Sequence, residues 1–127
     1  IATTGAVSVL LTIVGKRFID RVRPPHSDAV PPLELSESFP SGHTLNAVAI
    51  VGIIAYLLML RRTSTRARVA IAAAAAIYVV VIGFTRVFLG HHWFTDVLAG
   101  VVLGAAWLAL VITAHRCYLT ARAERRD

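Results

Sequence analysis

Three long apolar runs, Gly42 to Leu60, Val69 to about Leu89 and Phe94 to Ala114, constrain this chain more than any other feature. Each holds at most one charged residue, and each approaches the roughly 20 residues a helix needs to cross a bilayer. A helix satisfies every backbone N–H and C=O within its own segment, which hydrocarbon demands and an isolated strand cannot provide. The runs do not alternate in polarity, so they do not describe the half-buried strands of a soluble core. With 127 residues, 57% of them hydrophobic, the chain reads as one membrane domain or a piece of one. The expected fold class is all-α, a polytopic bundle of transmembrane helices.

A shorter apolar segment, Ile1 to Gly15, reads as the distal part of a fourth helix, with Gly5 and Ser8 suited to close packing. It starts inside an apolar run with no cationic region ahead of it, so it is not expected to be a signal peptide. The expectation is a truncated N-terminus with further helices before it. Lys16 and Arg17 mark the exit of this segment. From roughly Asp20 to Ser38, four prolines (Pro24, Pro25, Pro31, Pro32) forbid a continuous helix. Later in the chain, Ala72 to Ala76 suits tight helix packing, and Gly100 and Gly104 stand in the G-x-x-x-G spacing of a helix–helix contact. The single cysteine, Cys117, excludes an internal disulfide and a cysteine zinc site.

The net charge of +6 would point a soluble protein toward nucleic acid. Here the basic residues lie outside the apolar runs or at their ends, so membrane topology explains them better and no nucleic-acid partner is expected. Arg61, Arg62, Arg66 and Arg68 follow the first long run; Arg116, Arg122, Arg125 and Arg126 lie in the segment 115–127, read as a tail. Two helices separate the groups, so they share a side, and the excess of arginine makes that side cytoplasmic. The loop at 16–41 and the turn at 86–93 then share the outer face. Lys16, Arg17, Arg21, Arg23 and Arg86 also lie there, and the positive-inside rule does not account for them.

Three clusters on that face carry the chemistry. They are Lys16 with Arg23-Pro24, then Pro40-Ser41-Gly42-His43, then Arg86 with His92 and Asp96. Lys16, Arg23 and Arg86 assemble positive charge matched to phosphate oxygens. Ser41 is a natural N-cap, and the helix start at Ser41 and Gly42 offers backbone N–H groups to an oxyanion. His92 and Asp96 are four apart, so on a helix they share a face. The carboxylate would fix the imidazole tautomer and leave the other nitrogen free to attack. His43 is a second imidazole available as general acid.

Plainer readings compete. Arg17 and Arg21 serve equally well as snorkelling anchors, and His26, His91 and His115 read as polar tips at the headgroups. Trp93 and Phe94 read as interfacial aromatics, Trp107 and Tyr118 as packing or the inner aromatic belt. His43, His91, His92 and Asp96 are possible metal ligands, but the surrounding cations oppose a divalent ion. Ser41 activated by a histidine is a further reading, and it leaves the basic residues idle. Leu33 and Leu35 have a weak claim to dip into the interface.

The ordered set K-x6-R-P, P-S-G-H and R-x5-H-x3-D, spanning Lys16 to Asp96, resembles the three-part signature of the type 2 phosphatidic acid phosphatase superfamily. The resemblance implies a metal-independent phosphatase without cofactor, acting on a lipid phosphate or diphosphate, with four helices or parts of helices present from a six-helix core. It implies His92 as nucleophile forming a phosphohistidine, Asp96 as its orienting partner and His43 as proton donor to the leaving oxygen. Lys16, Arg23, Ser41, Gly42 and Arg86 would hold phosphate. Thr85 stands where the family usually has serine, and Trp93-Phe94-Thr95 replaces a Tyr-Pro-Ser-like triplet. The reading is an integral membrane enzyme, expected in a bacterial cell membrane with its site on the outer face. The alternative is a module that binds or flips lipid head groups with the same pocket and no turnover. Oligomeric state and the particular lipid are open.

Overall fold

The structure, a computed structural model, describes residues 2–125, the side chain of His26 excepted. Four α-helices, α1 (Ala2–Phe18), α2 (Gly42–Leu60), α3 (Thr65–Phe88) and α4 (Phe94–Glu124), are joined with one 3-10 turn at His26–Asp28. Among the described residues α2, α3 and α4 are long and apolar enough to cross a membrane. The all-α bundle expected from the apolar runs is therefore the observed fold.

The helix limits follow local chemistry. α2 covers the expected run. α3 starts at Thr65 rather than Val69, because the Ser64 side chain accepts from the Ala67 N–H at 3.5 Å and draws Arg66 and Arg68 into the first turns. α4 continues past Ala114 to Glu124. Residues 115–124 contain no glycine or proline and several strong helix formers, so most of the expected tail is helix.

α2 is the centre of the bundle and packs against all three other helices. Its closest partner is α4. A Cβ on Gly100 would lie 2.8 Å from the Ser41 carbonyl oxygen, and one on Gly104 would lie 2.8 Å from Val48 Cβ. The G-x-x-x-G pair thus permits the backbone approach that its spacing predicts. Gly104→Val is expected to cost about 1–3 kcal/mol through overpacking, read as a lower thermal unfolding midpoint in detergent; an unchanged midpoint would contradict this contact.

Polar links hold the remaining helices. Ser8 Oγ lies 2.8 Å from the Gly5 carbonyl and 2.6 Å from Asn46 Oδ1 as assigned. One hydroxyl proton cannot serve both oxygens, so the Asn46 amide satisfies the set when its nitrogen faces Ser8. Trp107 Nε1 donates to the Thr4 carbonyl at 3.2 Å, tying α4 to α1. The Tyr56 hydroxyl meets His115 Nδ1 at 3.0 Å. His115 is therefore a strut between α2 and α4, not the headgroup tip expected of it. Gly83 is the buried residue of α3, whose Ile77, Val80, Val81 and Phe84 are exposed and suit lipid contact. An apolar groove of about 670 Å³ runs between α2, α3 and α4, past Val48, Gly83, Val87, Phe94 and Val97.

Candidate active site

The loop between α1 and α2 folds back over one end of the bundle and is pinned to the turn between α3 and α4. Val30 N–H donates to the Leu89 carbonyl at 3.0 Å, and Trp93 Nε1 donates to the Val22 carbonyl at 2.9 Å. Gly90, at φ 70°, turns the chain after α3; a Cβ there would meet the Asp28 carbonyl oxygen at 2.6 Å. After that turn, the N–H groups of His91 and His92 both donate to the Arg86 carbonyl, at 3.0 and 3.2 Å. The loop and turn thus bring residues 16–43 and 86–96 together.

Asp96 is the deepest anchor of this end and is 0% exposed. Its Oδ1 accepts from Arg21 Nη1 at 2.8 Å, and its Oδ2 accepts from Ser38 Oγ at 2.5 Å and from the Trp93 N–H at 2.9 Å. Its carbonyl accepts from the Ser41 N–H at 3.0 Å. One residue therefore caps α4, fixes the start of α2 and holds the loop. The cost of burying an acid is offset by these charge-assisted bonds.

His92 is 2% exposed and lies in the turn before α4, so it and Asp96 do not share one helix face as the spacing predicts. They still meet: His92 Nδ1 is 3.7 Å from Asp96 Oδ2. That separation exceeds a hydrogen bond, and Nδ1 is buried without a hydrogen-bond partner. Nε2 faces the other way, 3.4 Å from Arg23 Nη1 and 4.0 Å from Glu34 Oε2. Burial, and next the Arg23 charge, push the His92 imidazole down to about 4, so the neutral form prevails.

Arg23 is the most heavily engaged cation. Nε donates to the Ser36 carbonyl at 2.6 Å, Nη1 to the His91 carbonyl at 2.5 Å and Nη2 to Glu34 Oε2 at 2.7 Å. Lys16 Nζ donates to Ser36 Oγ at 3.0 Å and to the Glu37 carbonyl. Arg86 is half-buried, its charge acts on His43, and its Nε has no partner. His43, with its side chain 54% exposed, places Nδ1 3.7 Å from Glu34 Oε1. Among the described residues the buried side-chain atoms without a hydrogen-bond partner are Arg86 Nε, His91 Nδ1 and His92 Nδ1. All three belong to this end of the bundle, where buried polar atoms without a protein partner call for an explanation.

Ser41 and Gly42 are placed differently from expectation. The Ser41 N–H is taken by Asp96, and its Oγ lies 3.0 Å from Thr44 Oγ1, so Ser41 caps α2 by position without a side-chain bond to it. The first N–H groups after Ser41 have no intrahelical acceptor and remain the donors at this helix start. Gly42 answers first to packing: a Cβ there would lie 2.7 Å from Thr12 Cγ2 of α1.

Several residues at this end escaped the sequence reading. Arg21 pairs with Asp96 and lies over the Trp93 ring at 5.9 Å, so it is no snorkelling anchor. His91 is buried with Nε2 2.8 Å from the Val30 carbonyl, which makes it a loop fastener and not a headgroup tip. Ser38 and Glu34 have partners 58 residues and 11 residues away, and nothing local marks them. Glu34, His43 and His92 present ligand-type atoms within 4.8 Å of one another, the one group among the described residues with metal-binding geometry.

A buried histidine near an aspartate and a guanidinium, at one end of helices long and apolar enough to cross a membrane, is the arrangement this chain presents. The chain belongs to the PAP2 superfamily, whose profile matches residues 1–117. It is similar to phosphatidylglycerophosphatase B of Bacillus subtilis, 40% identical over 103 residues, which cover 80% of this chain and 50% of that protein. It is also similar to lipid A 1-phosphatase of Rhizobium etli, 35% identical over 92% of this chain and 50% of the relative. The crystal structure of a transmembrane PAP2-type phosphatidylglycerolphosphate phosphatase from Bacillus subtilis superimposes with a TM-score of 0.83 at 35% identity, covering 91% of this chain and 57% of that one. The chain spans about half the length of the curated relatives it matches. It is an integral membrane protein by its apolar helices and by this structural neighbour.

Proposed function

We propose that this chain is the catalytic core of an integral membrane phosphatase that hydrolyses a lipid phosphate monoester or diphosphate through a phosphohistidine. The observation that carries the reading is His92 itself: neutral, buried, with Nδ1 turned toward Asp96 and Nε2 beside Arg23. Nε2 attacks phosphorus while Arg23, Lys16, Arg86 and the α2 N-terminus bind the phosphoryl oxygens. The P–O bond to the lipid breaks, and His43 gives its proton to the departing oxygen. Water then attacks the phosphohistidine with His43 as base, releasing inorganic phosphate and regenerating neutral His92. The apolar groove beside Val87 and Phe94 supports a substrate with an acyl chain. The names of the relatives favour phosphatidylglycerophosphate or a lipid A-type phosphate, and a carrier-lipid diphosphate would suit a site on the outer face.

The cations do here what a metal would do elsewhere. Glu34, the one carboxylate of the three-ligand group, already bonds Arg23 at 2.7 Å, and Arg86 acts on His43, so charge at this site favours an anion over a divalent cation. The test is phosphate release by the full-length protein from a panel of lipid phosphates with EDTA present. Turnover that persists in EDTA supports the reading; loss of turnover in EDTA, or lipid binding without phosphate release, overturns it. Vanadate, which adopts the five-coordinate geometry of the transition state, is expected to inhibit competitively.

The protonation of His92 gives a separate check. Its folded value of about 4 lies below the ordinary 6.5, so the folded state favours the neutral ring. As pH falls from about 6.5 toward 4 the unfolded chain takes up a proton that the folded chain does not, and stability declines over that window. In a ring-labelled sample His92 is expected to remain neutral at about pH 5.5, where an ordinary imidazole is mostly charged; a midpoint near 6.5 would contradict the buried setting.

A further inference from the structure

Glu34 has no part in the cycle just described, yet it lies at the centre of the site. Its Oε2 accepts from Arg23 Nη2 at 2.7 Å and lies 4.0 Å from His92 Nε2. Its Oε1 lies 3.7 Å from His43 Nδ1 and 4.0 Å from His91 Nδ1. A carboxylate on one guanidinium and facing three imidazoles stands where a phosphoryl oxygen would bind.

The donor count of Arg23 sharpens this. A guanidinium has five N–H groups. Here they face the Ser36 carbonyl, the His91 carbonyl, His92 Nε2 and Glu34 Oε2, with Ser36 Oγ and the Glu37 carbonyl both at 3.3 Å from Nη2. Phosphate cannot take two donors of Arg23 unless a partner leaves. The backbone carbonyls are fixed by the loop, whereas Glu34 is a side chain with rotatable bonds. Once it leaves Arg23 it has a second partner within reach, because His43 Nδ1 lies 3.7 Å from its Oε1, a short way beyond hydrogen-bond distance.

We propose that Glu34 is a positioning residue that exchanges partners: it holds Arg23 in this conformation, and incoming phosphate displaces it onto His43 Nδ1. The second half rests on the phosphatase reading, in which His43 must carry a proton to the leaving oxygen. A carboxylate at Nδ1 would orient that ring and steady its charged form, the role the phosphatase reading gives Asp96 at His92. Burial raises the Glu34 carboxyl, but Arg23 and the neighbouring histidines outweigh it and hold the group below its ordinary value, so the competitor is an anion. The arrangement couples phosphate arrival to readiness of the acid, with no distant element involved.

The test uses the full-length protein in detergent and two readouts, equilibrium binding of inorganic phosphate and steady-state turnover of a lipid phosphomonoester. Glu34→Gln is expected to bind phosphate about tenfold tighter, since the competing charge is gone, while kcat falls about tenfold. Glu34→Asp keeps a carboxylate for Arg23 but is too short to reach His43; it is expected to bind phosphate as the wild type does and to lose kcat. Asp20→Asn, removing an exposed acid of the same loop, is the charge control and should change neither. Unchanged or weaker phosphate binding in Glu34→Gln overturns the competition, and unchanged kcat in both variants overturns the transfer to His43. A wild type that binds phosphate but hydrolyses no lipid would sink the phosphatase reading, and the phosphate affinities would still decide whether Glu34 competes for Arg23.

Discussion

His92→Ala is expected to lower phosphate release by at least about 10⁴-fold, the scale seen when a covalent nucleophile is removed. Substrate binding should change far less, because the cations proposed to hold phosphate remain. The measurement is single-turnover phosphate release with a lipid phosphomonoester, alongside alkaline-quench trapping of labelled phosphoprotein. Wild-type enzyme should accumulate an acid-labile, alkali-stable phosphoenzyme, and the variant none. Activity within tenfold of wild type would assign the attack to another group. The structure makes the replacement interpretable: His92 is held by its backbone N–H bond to the Arg86 carbonyl, which alanine retains.

Asp96→Asn is expected to combine the largest loss of stability with a loss of kcat of about 10³–10⁴-fold, the cost of presenting a histidine with an amide in place of its carboxylate. Asp96 takes three donors at once, from Arg21, Ser38 and the Trp93 N–H. Asparagine has one oxygen to offer, so whichever way the amide lies its nitrogen faces a donor. That mismatch should cost about 2 kcal/mol, visible as a lower unfolding midpoint. Ser38→Ala removes only one of the bonds and should lower stability less, while leaving His92 its carboxylate neighbour. A variant Asp96→Asn with wild-type kcat would show that the 3.7 Å approach to His92 Nδ1 is incidental.

How much of this was readable in advance depends on distance along the chain. α2 was readable to the residue because its apolar run is bounded by Ser41 on one side and Arg61-Arg62 on the other. The limits of α3 and α4 were less so. A serine cap at Ser64 extended one, and helix-forming residues after Ala114 extended the other into what composition alone marks as a tail. The G-x-x-x-G contact was legible because helical period turns spacing directly into a shared face. The spacing of His92 and Asp96 predicts a shared helix face, whereas the two approach to 3.7 Å across a helix cap and not along a helix.

The partners of the loop were not legible at all. Arg21 with Asp96, Arg23 with Glu34 and His91 with Val30 join residues whose separation carries no period and no motif. A lone arginine after a helix is as good an anchor as an ion-pair partner until the loop is folded. The same holds for the Ser41 N–H, which looked free at a helix start and is in fact spent on the Asp96 carbonyl.

By itself the sequence determined the all-α membrane fold and named the candidate residues of the three clusters, at the end of the bundle opposite the arginine-rich loop at 61–68. Hydrocarbon penalises every unpaired polar group, so the few charged positions near apolar runs stand out without coordinates. Only the tertiary structure decided which charges neutralise one another, and so which remain for a ligand. That outcome depends on a proline-rich loop folding back across two helix ends, and Coulombic pairing over a few ångströms follows position in space rather than order in the chain. It is why Glu34, one of four acids that sequence alone reads only as a general balance to the basic residues of that loop, stands between Arg23 and both candidate catalytic histidines.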